Sequence, residues 1–233
     1  MEVEAGQSSP DASHIRLVFW SLFIGLIAVG NYGERFFGSN NSATAHQAVY
    51  SWSNFAGGTV LYAIWLGIVL LICRDRFDLL ALRRPWSWRR AIALGVGVIV
   101  AILVWEQLVS LIPLPESPGK EQGLTDVHWE PSHAGAFAAN FVLFAMIDPF
   151  VEELTFRGSG QSLLRFLGRW PSILIVGVAF GLAHGLVEAL LVLVPFGIAL
   201  AWLRDRTNSV VPGMFVHAIF NGAALIAIVF SAR

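Results

Sequence analysis

The sequence predicts an all-α protein, a polytopic membrane bundle of about seven transmembrane helices with its N-terminus in the cytoplasm. Three observations lead there. Of 233 residues 56% are hydrophobic and only 13% are charged, with a mean hydropathy of +0.66, whereas soluble domains carry about 25% charge. Apolar runs long enough to cross a bilayer recur along the chain. Arginines gather in alternate connections between those runs, and acids gather in the others.

The start, MEVEAGQSSPDAS, is acidic and polar, the reverse of a signal peptide's basic beginning. Residues 1–14 therefore read as a disordered tail and 15–233 as a single integral-membrane helical domain without internal repeat. The apolar runs cover 15–30, 55–73, 91–113, 134 to about 155, 171–186, 188–203 and 210–230. A perpendicular span needs about 20 residues, so the first, fifth and sixth runs are short and would be tilted or partly re-entrant.

Charge sets the orientation. Arg74, Arg76, Arg83, Arg84, Arg89 and Arg90 lie between the second and third runs. Arg157, Arg165 and Arg169 follow the fourth, and Arg204 and Arg206 follow the sixth. Residues 114–133 instead set Lys120 against Glu116, Glu121, Asp126 and Glu130. By the positive-inside rule the arginine-bearing connections and the N-terminus are cytoplasmic and the C-terminus is outside. Trp86, Trp88, Trp129 and Trp170 flank spans as interfacial aromatics do. His14, His46, His128 and His133 fall in tails or loops and read as solvated. A net charge of −1 gives no reason to expect nucleic acid, and one cysteine, Cys73, excludes an intrachain disulfide or a thiolate metal cluster. Membrane lipid is the expected surrounding partner.

Against this apolar background a few polar residues stand out. The stretch FAMIDPFVEELTFR, residues 144–157, places Asp148, Glu152 and Glu153 on one helix ahead of Arg157. An ionised side chain in a bilayer costs at least about 2.5–3.5 kcal/mol, so each acid needs a partner, a proton or a function. At about 100° per residue Glu153 and Arg157 share a face in the favourable acid-first order, while Glu152 shares its face with Asp148 and has no cation in reach. Pro149 lacks an N–H and is expected to free the carbonyl of Ala145, kinking the helix or admitting water. The fifth run carries His184 one turn after Phe180, and the seventh carries His217 one turn before Asn221. Small residues around them (Gly181, Ala183, Gly185, Ala218, Gly222, Ala223) would let the helices approach closely. A carboxylate base with a histidine beside it, and a second histidine with an amide as donors to an oxyanion, are the equipment of water-mediated amide hydrolysis.

The ordered trio EExxxR (Glu152, Glu153, Arg157), FxxxH (Phe180, His184) and HxxxN (His217, Asn221) resembles the CPBP family of intramembrane proteases. That family includes CAAX prenyl endopeptidases and bacterial proteins tied to bacteriocin self-immunity and abortive infection. The resemblance covers about 134–230. It implies that Glu152 and His184 activate the hydrolytic water, that His217 and Asn221 form an oxyanion site, and that Glu153, Arg157, Phe180 and Asp148 support the site. It further implies a metal-free, glutamate-type endopeptidase without cofactor, cutting near the C-terminus of a membrane-anchored or lipidated protein, in a bacterial plasma membrane. Two other readings stand beside it. One is a zinc peptidase using Glu152 or Glu153 with His184 and His217; the other is a non-enzymatic immunity or scaffold protein. One dimension does not close. With Arg157 at the cytoplasmic interface, Glu152 would lie about 7 Å deep, His217 about 10 Å and His184 about 18 Å. Tilt, an unwound fifth run or a deeper fourth run has to make up the difference.

Overall fold

The computed structural model describes residues 10–38, 45–121 and 127–230. Each apolar run is a helix, and no strand occurs among the described residues. Lipid offers no hydrogen bonds, so a spanning segment satisfies its backbone most simply as a helix. We number the principal helices α1 (Pro10–Phe37), α2 (Trp52–Ile72), α3 (Trp88–Val109), α4 (Pro131–Leu167), α5 (Arg169–Ala183), α6 (Leu190–Thr207) and α7 (Val211–Phe230). Five of them, α1 to α4 and α7, are long and apolar enough to cross a membrane. α5 has 15 residues, and α6 ends in Arg204, Asp205 and Arg206.

α1 begins at Pro10, inside the stretch read as a tail; residues 1–9 of that stretch lie outside the described residues. Proline suits a first helical turn, where its missing N–H costs nothing. α1 buries Trp20 and Ile24 and exposes Val18, Leu22, Leu26 and Val29, the side a membrane protein turns to lipid. Asp126, counted among the outer-loop acids, also falls outside the described residues.

The core lies where α4, α5, α6 and α7 meet, around Phe156, Phe180, Phe196 and Leu200. α5 and α6 cross on glycine. A Cβ on Gly177 would sit 2.4 Å from Ile198 Cγ1, and one on Gly197 would sit 2.7 Å from the Gly177 carbonyl oxygen. This close approach brings Phe180 of α5 and the Gly197 carbonyl of α6 up to the charged turn of α4.

Two arginines counted as loop charges are not loop charges. Arg157 is fully buried, because α4 continues past it to Leu167 before the chain reverses at Gly168. Arg204 is 2% exposed and donates from Nη2 to Ser162 Oγ at 2.7 Å. The other arginines of these connections keep the segregation, whereas Arg35 of α1 lies at the opposite end with Glu121. Arg83 donates from Nε to the Asn208 carbonyl at 2.9 Å, and Val210 N–H donates to the Ala81 carbonyl at 3.1 Å, joining the α2–α3 and α6–α7 connections at one end. At the opposite end Glu121 pairs with Arg35 and accepts the Val187 and Ala189 N–H groups. With Cys73 replaced by serine, Arg83→Cys and Ser117→Cys should react with an impermeant maleimide from opposite sides of sealed vesicles, Arg83→Cys from the cytoplasmic side. Labelling of both from one side would overturn the orientation.

Candidate active site

α4 presents the acids, and its backbone is widened on either side of them. Hydrogen bonding takes π spacing at Leu143–Ile147 and again at Leu154–Gly160. Asp148 N–H therefore reaches back to the Leu143 carbonyl. The next carbonyl, that of Phe144, would need the N–H of residue 149, and Pro149 has none. Asn221 Nδ2 donates to it at 3.0 Å. The freed carbonyl is thus Phe144 rather than Ala145, shifted by one residue because the local ladder runs i to i+5 instead of i to i+4.

The depth mismatch closes because α4 is deeper than its sequence suggested. Glu152 precedes Leu167 by the same 15 residues that separate Arg169 from His184, about 22 Å of helix in each case. The α6–α7 turn is itself sunk into the protein, with Ser209 and Val210 fully buried, so His217 reaches the same level from a short stretch of helix.

Glu152, His184 and His217 converge there. Glu152 Oε1 is 4.0 Å from His184 Nε2, and Oε2 is 3.8 Å from His217 Nε2. Both gaps exceed a direct hydrogen bond and are of a size that one water can bridge. The other ring nitrogens fix the tautomers. His184 Nδ1 lies 2.8 Å from the Phe180 carbonyl, which only accepts, so Nδ1 holds a proton and Nε2 is the nitrogen turned toward Glu152. His217 Nδ1 is 3.2 Å from Glu153 Oε1 and donates to that carboxylate.

Glu153 and Arg157 form the supporting layer. Arg157 Nη1 donates to Glu153 Oε1 at 2.8 Å, and both side chains are completely buried. Arg157 Nη2 donates to the Gly197 carbonyl at 3.2 Å. Its guanidinium carbon lies 4.1 Å from the centre of the Phe180 ring, a cation–π contact. Phe180 also meets His184 and His217 edge-on, at 4.7 and 5.7 Å between ring centres. Gly213 of α7 lies against Glu153, where an added Cβ would stand 2.7 Å from Oε2.

A cavity of about 800 Å³ runs from this cluster toward the connection that holds Ser110 and Gly119. Asp148, Glu152, His184, His217 and Asn221 line its inner end. Asp148 faces Tyr62 and Glu152, and its Oδ1 has no hydrogen-bond partner. All eight residues singled out from the sequence therefore fall in one region. No group of three His, Cys, Asp or Glu side chains suited to a metal ion occurs among the described residues.

Several supports carry no motif. Asn31 Nδ2 donates to the Ala183 carbonyl at 2.7 Å and Tyr32 Oη to the Leu186 carbonyl at 2.8 Å, so α1 holds the turn that ends in His184. Gly185, at φ +68°, makes that turn in the left-handed region, with its Cα against Asn31. Trp20 Nε1 donates to the Thr155 carbonyl and Trp65 Nε1 to Thr155 Oγ1, at 2.9 and 2.8 Å, within the second widened segment. Glu106 of α3 lines the cavity further out. A carboxylate near the end of an apolar run was the available sequence signal for Glu106; the others look like ordinary amphipathic residues.

Residues 134–223, a segment that holds every motif residue, match the family model of Type II CAAX prenyl endopeptidase Rce1-like proteins. No curated protein and no solved structure matches the chain.

The buried pair has a direct test. Arg157→Ala leaves Glu153 in the core without its guanidinium, with only the His217 contact remaining, a loss of about 3–5 kcal/mol. The yield of folded protein and its thermal midpoint in detergent should both fall. Arg157→Lys should recover only part of either, since an ammonium cannot reproduce the planar contacts to Gly197 and Phe180. An unchanged midpoint in Arg157→Ala would remove the pair from the scaffold.

Proposed function

We propose that this protein is a glutamate-type intramembrane endopeptidase acting on a membrane-anchored or lipidated protein, near the C-terminus of that protein, in a bacterial plasma membrane. The observation that carries the proposal is the placement of the Glu152 carboxylate between the Nε2 atoms of His184 and His217, at 4.0 and 3.8 Å. The wall of the cavity beyond it is mostly apolar, with Leu103, Val109, Leu193 and Phe196 among its residues, which suits a hydrophobic segment.

In this mechanism a water is held between Glu152 Oε1 and His184 Nε2. Glu152 takes a proton from it as its oxygen adds to the scissile carbonyl carbon. The carbonyl electron pair moves onto oxygen, and the resulting oxyanion needs donors. His217 Nε2 faces this space and is the ring donor that the reading assigns to the oxyanion, while Nδ1 is held at Glu153. Asn221 contributes through its amide, one N–H of which is committed to the Phe144 carbonyl. Collapse of the adduct breaks the C–N bond, and the proton held by Glu152 passes to the leaving nitrogen, directly or through His184. No redox step and no cofactor is required.

Glu152→Gln keeps size and polarity but cannot accept the proton. Cleavage of a membrane-anchored reporter peptide should fall by about 10²–10⁴-fold, with the gel-filtration profile of the folded protein retained. His184→Ala should act in the same direction, whereas loss of an oxyanion donor in Asn221→Ala should cost about 10²–10³-fold in kcat. Full activity in Glu152→Gln would remove the residue from the chemistry. A second measurement separates glutamate from zinc hydrolysis: 1,10-phenanthroline should leave the purified enzyme active. Inhibition reversed by added zinc would overturn the metal-free mechanism.

A further inference from the structure

We propose that Glu106 is a cation-binding subsite of the same cavity, taking a lysine or arginine side chain of the substrate. The proposal deepens the peptidase reading and rests on it for the identity of the ligand as a peptide. α3 turns Ile99, Leu103 and Glu106 to the cavity, four and then three residues apart, the spacing of one helical face. Trp105, next to Glu106, donates from Nε1 to the Leu191 carbonyl at 2.6 Å and so locks that face of α3 against α6.

The Glu106 side chain has no hydrogen bond and no ion pair among the described residues, although its neighbours at this end are paired. Glu116 lies 3.9 Å from Lys120, Glu188 lies 3.6 Å from Arg35, and Glu121 is held by Arg35 and two backbone N–H groups. An acid inside a span without a partner marks a site for something that arrives. The chemistry of the wall says what. Glu106, Asp148 and Glu152 line the cavity, and among the described residues no lysine or arginine does. Its histidines, His184 and His217, are already engaged by the Phe180 carbonyl and by Glu153. A cationic side chain entering this space meets an unpaired carboxylate in an apolar wall, where charge–charge attraction is weakly screened. An anionic group, including a terminal carboxylate, meets no lysine or arginine among the described residues of this wall. The substrate segment that occupies the cavity therefore carries one basic side chain, set against Glu106, in an otherwise apolar stretch.

The test is a charge swap with the full-length protein in detergent. A set of membrane-anchored reporter peptides carries lysine, glutamine or glutamate in turn at each position flanking the scissile bond. At one position the wild type should cleave the lysine peptide at least about tenfold more efficiently than the glutamate peptide. Glu106→Gln should abolish that ratio, and Glu106→Lys should invert it. Binding supplies a readout independent of cleavage. The Glu152→Gln protein should bind the lysine peptide more tightly than the glutamate peptide, and adding Glu106→Gln should remove the difference. An unaltered ratio in Glu106→Gln, or no preference for lysine at any position in the wild type, overturns the subsite even if the peptidase reading survives. Charge-selective binding that depends on Glu106 without any cleavage keeps the subsite and overturns the peptidase.

Discussion

The ion pair between Glu153 and Arg157 is the interaction on which the rest of the site depends. Neither charge could be placed alone at this depth without a penalty comparable to a large part of a domain's net stability. Set four residues apart on one helix, they neutralise each other within α4 at 2.8 Å. Their remaining valences then organise the neighbouring helices. Arg157 reaches the Gly197 carbonyl of α6 and the Phe180 ring of α5, and Glu153 receives His217 of α7. Four helices are thereby registered on one pair of charges. Each contact is short enough to fix rotation as well as distance. The glycines at 177, 197 and 213 are what let the backbones come that near.

The pair also explains why two adjacent glutamates can differ in role. On a helix, neighbours point about 100° apart. Glu153 takes the guanidinium and one histidine nitrogen, so its environment is saturated apart from Oε2. Glu152 turns to the cavity and keeps its two oxygens at a water's width from two imidazoles. His217 stands between them, with Nδ1 to Glu153 and Nε2 toward Glu152. The same buried pair that holds the helices together therefore sets the proton position on a residue facing the cavity.

Much of this was legible in the sequence, and the misses have physical reasons. Span positions could be read because apolar runs need no tertiary information. The eight polar or aromatic site residues could be read because charge and imidazole are rare in such runs. The end of the fourth run could not. LTFRGSGQ, residues 154–161, looks like the polar exit of a span, yet Thr155, Arg157, Ser159 and Gln161 are all buried. Gly158 packs against the backbone of Leu80 and Gly160 against the Trp20 ring, contacts that no local pattern announces. Reading that stretch as a loop placed Arg157 at the interface and created the depth mismatch. The widened hydrogen bonding around the acids was equally invisible, because Pro149 signals a missing donor but not which carbonyl loses it.

The first three spans carry no motif, yet the structure gives them defined work. α1 ties down the His184 turn through Asn31 and Tyr32, and α2 fixes Thr155 through Trp65. α3 forms the cavity wall with Ile99, Leu103 and Glu106. The chemistry of peptide hydrolysis demands a base, an oriented histidine and oxyanion donors, which leaves little freedom in α4, α5 and α7. Recognition makes no such demand, since any wall that matches the incoming segment serves. In the proposed reading the motif-bearing segment supplies the reaction, and the inward face of α3, which carries no signature, supplies the contact that selects the substrate.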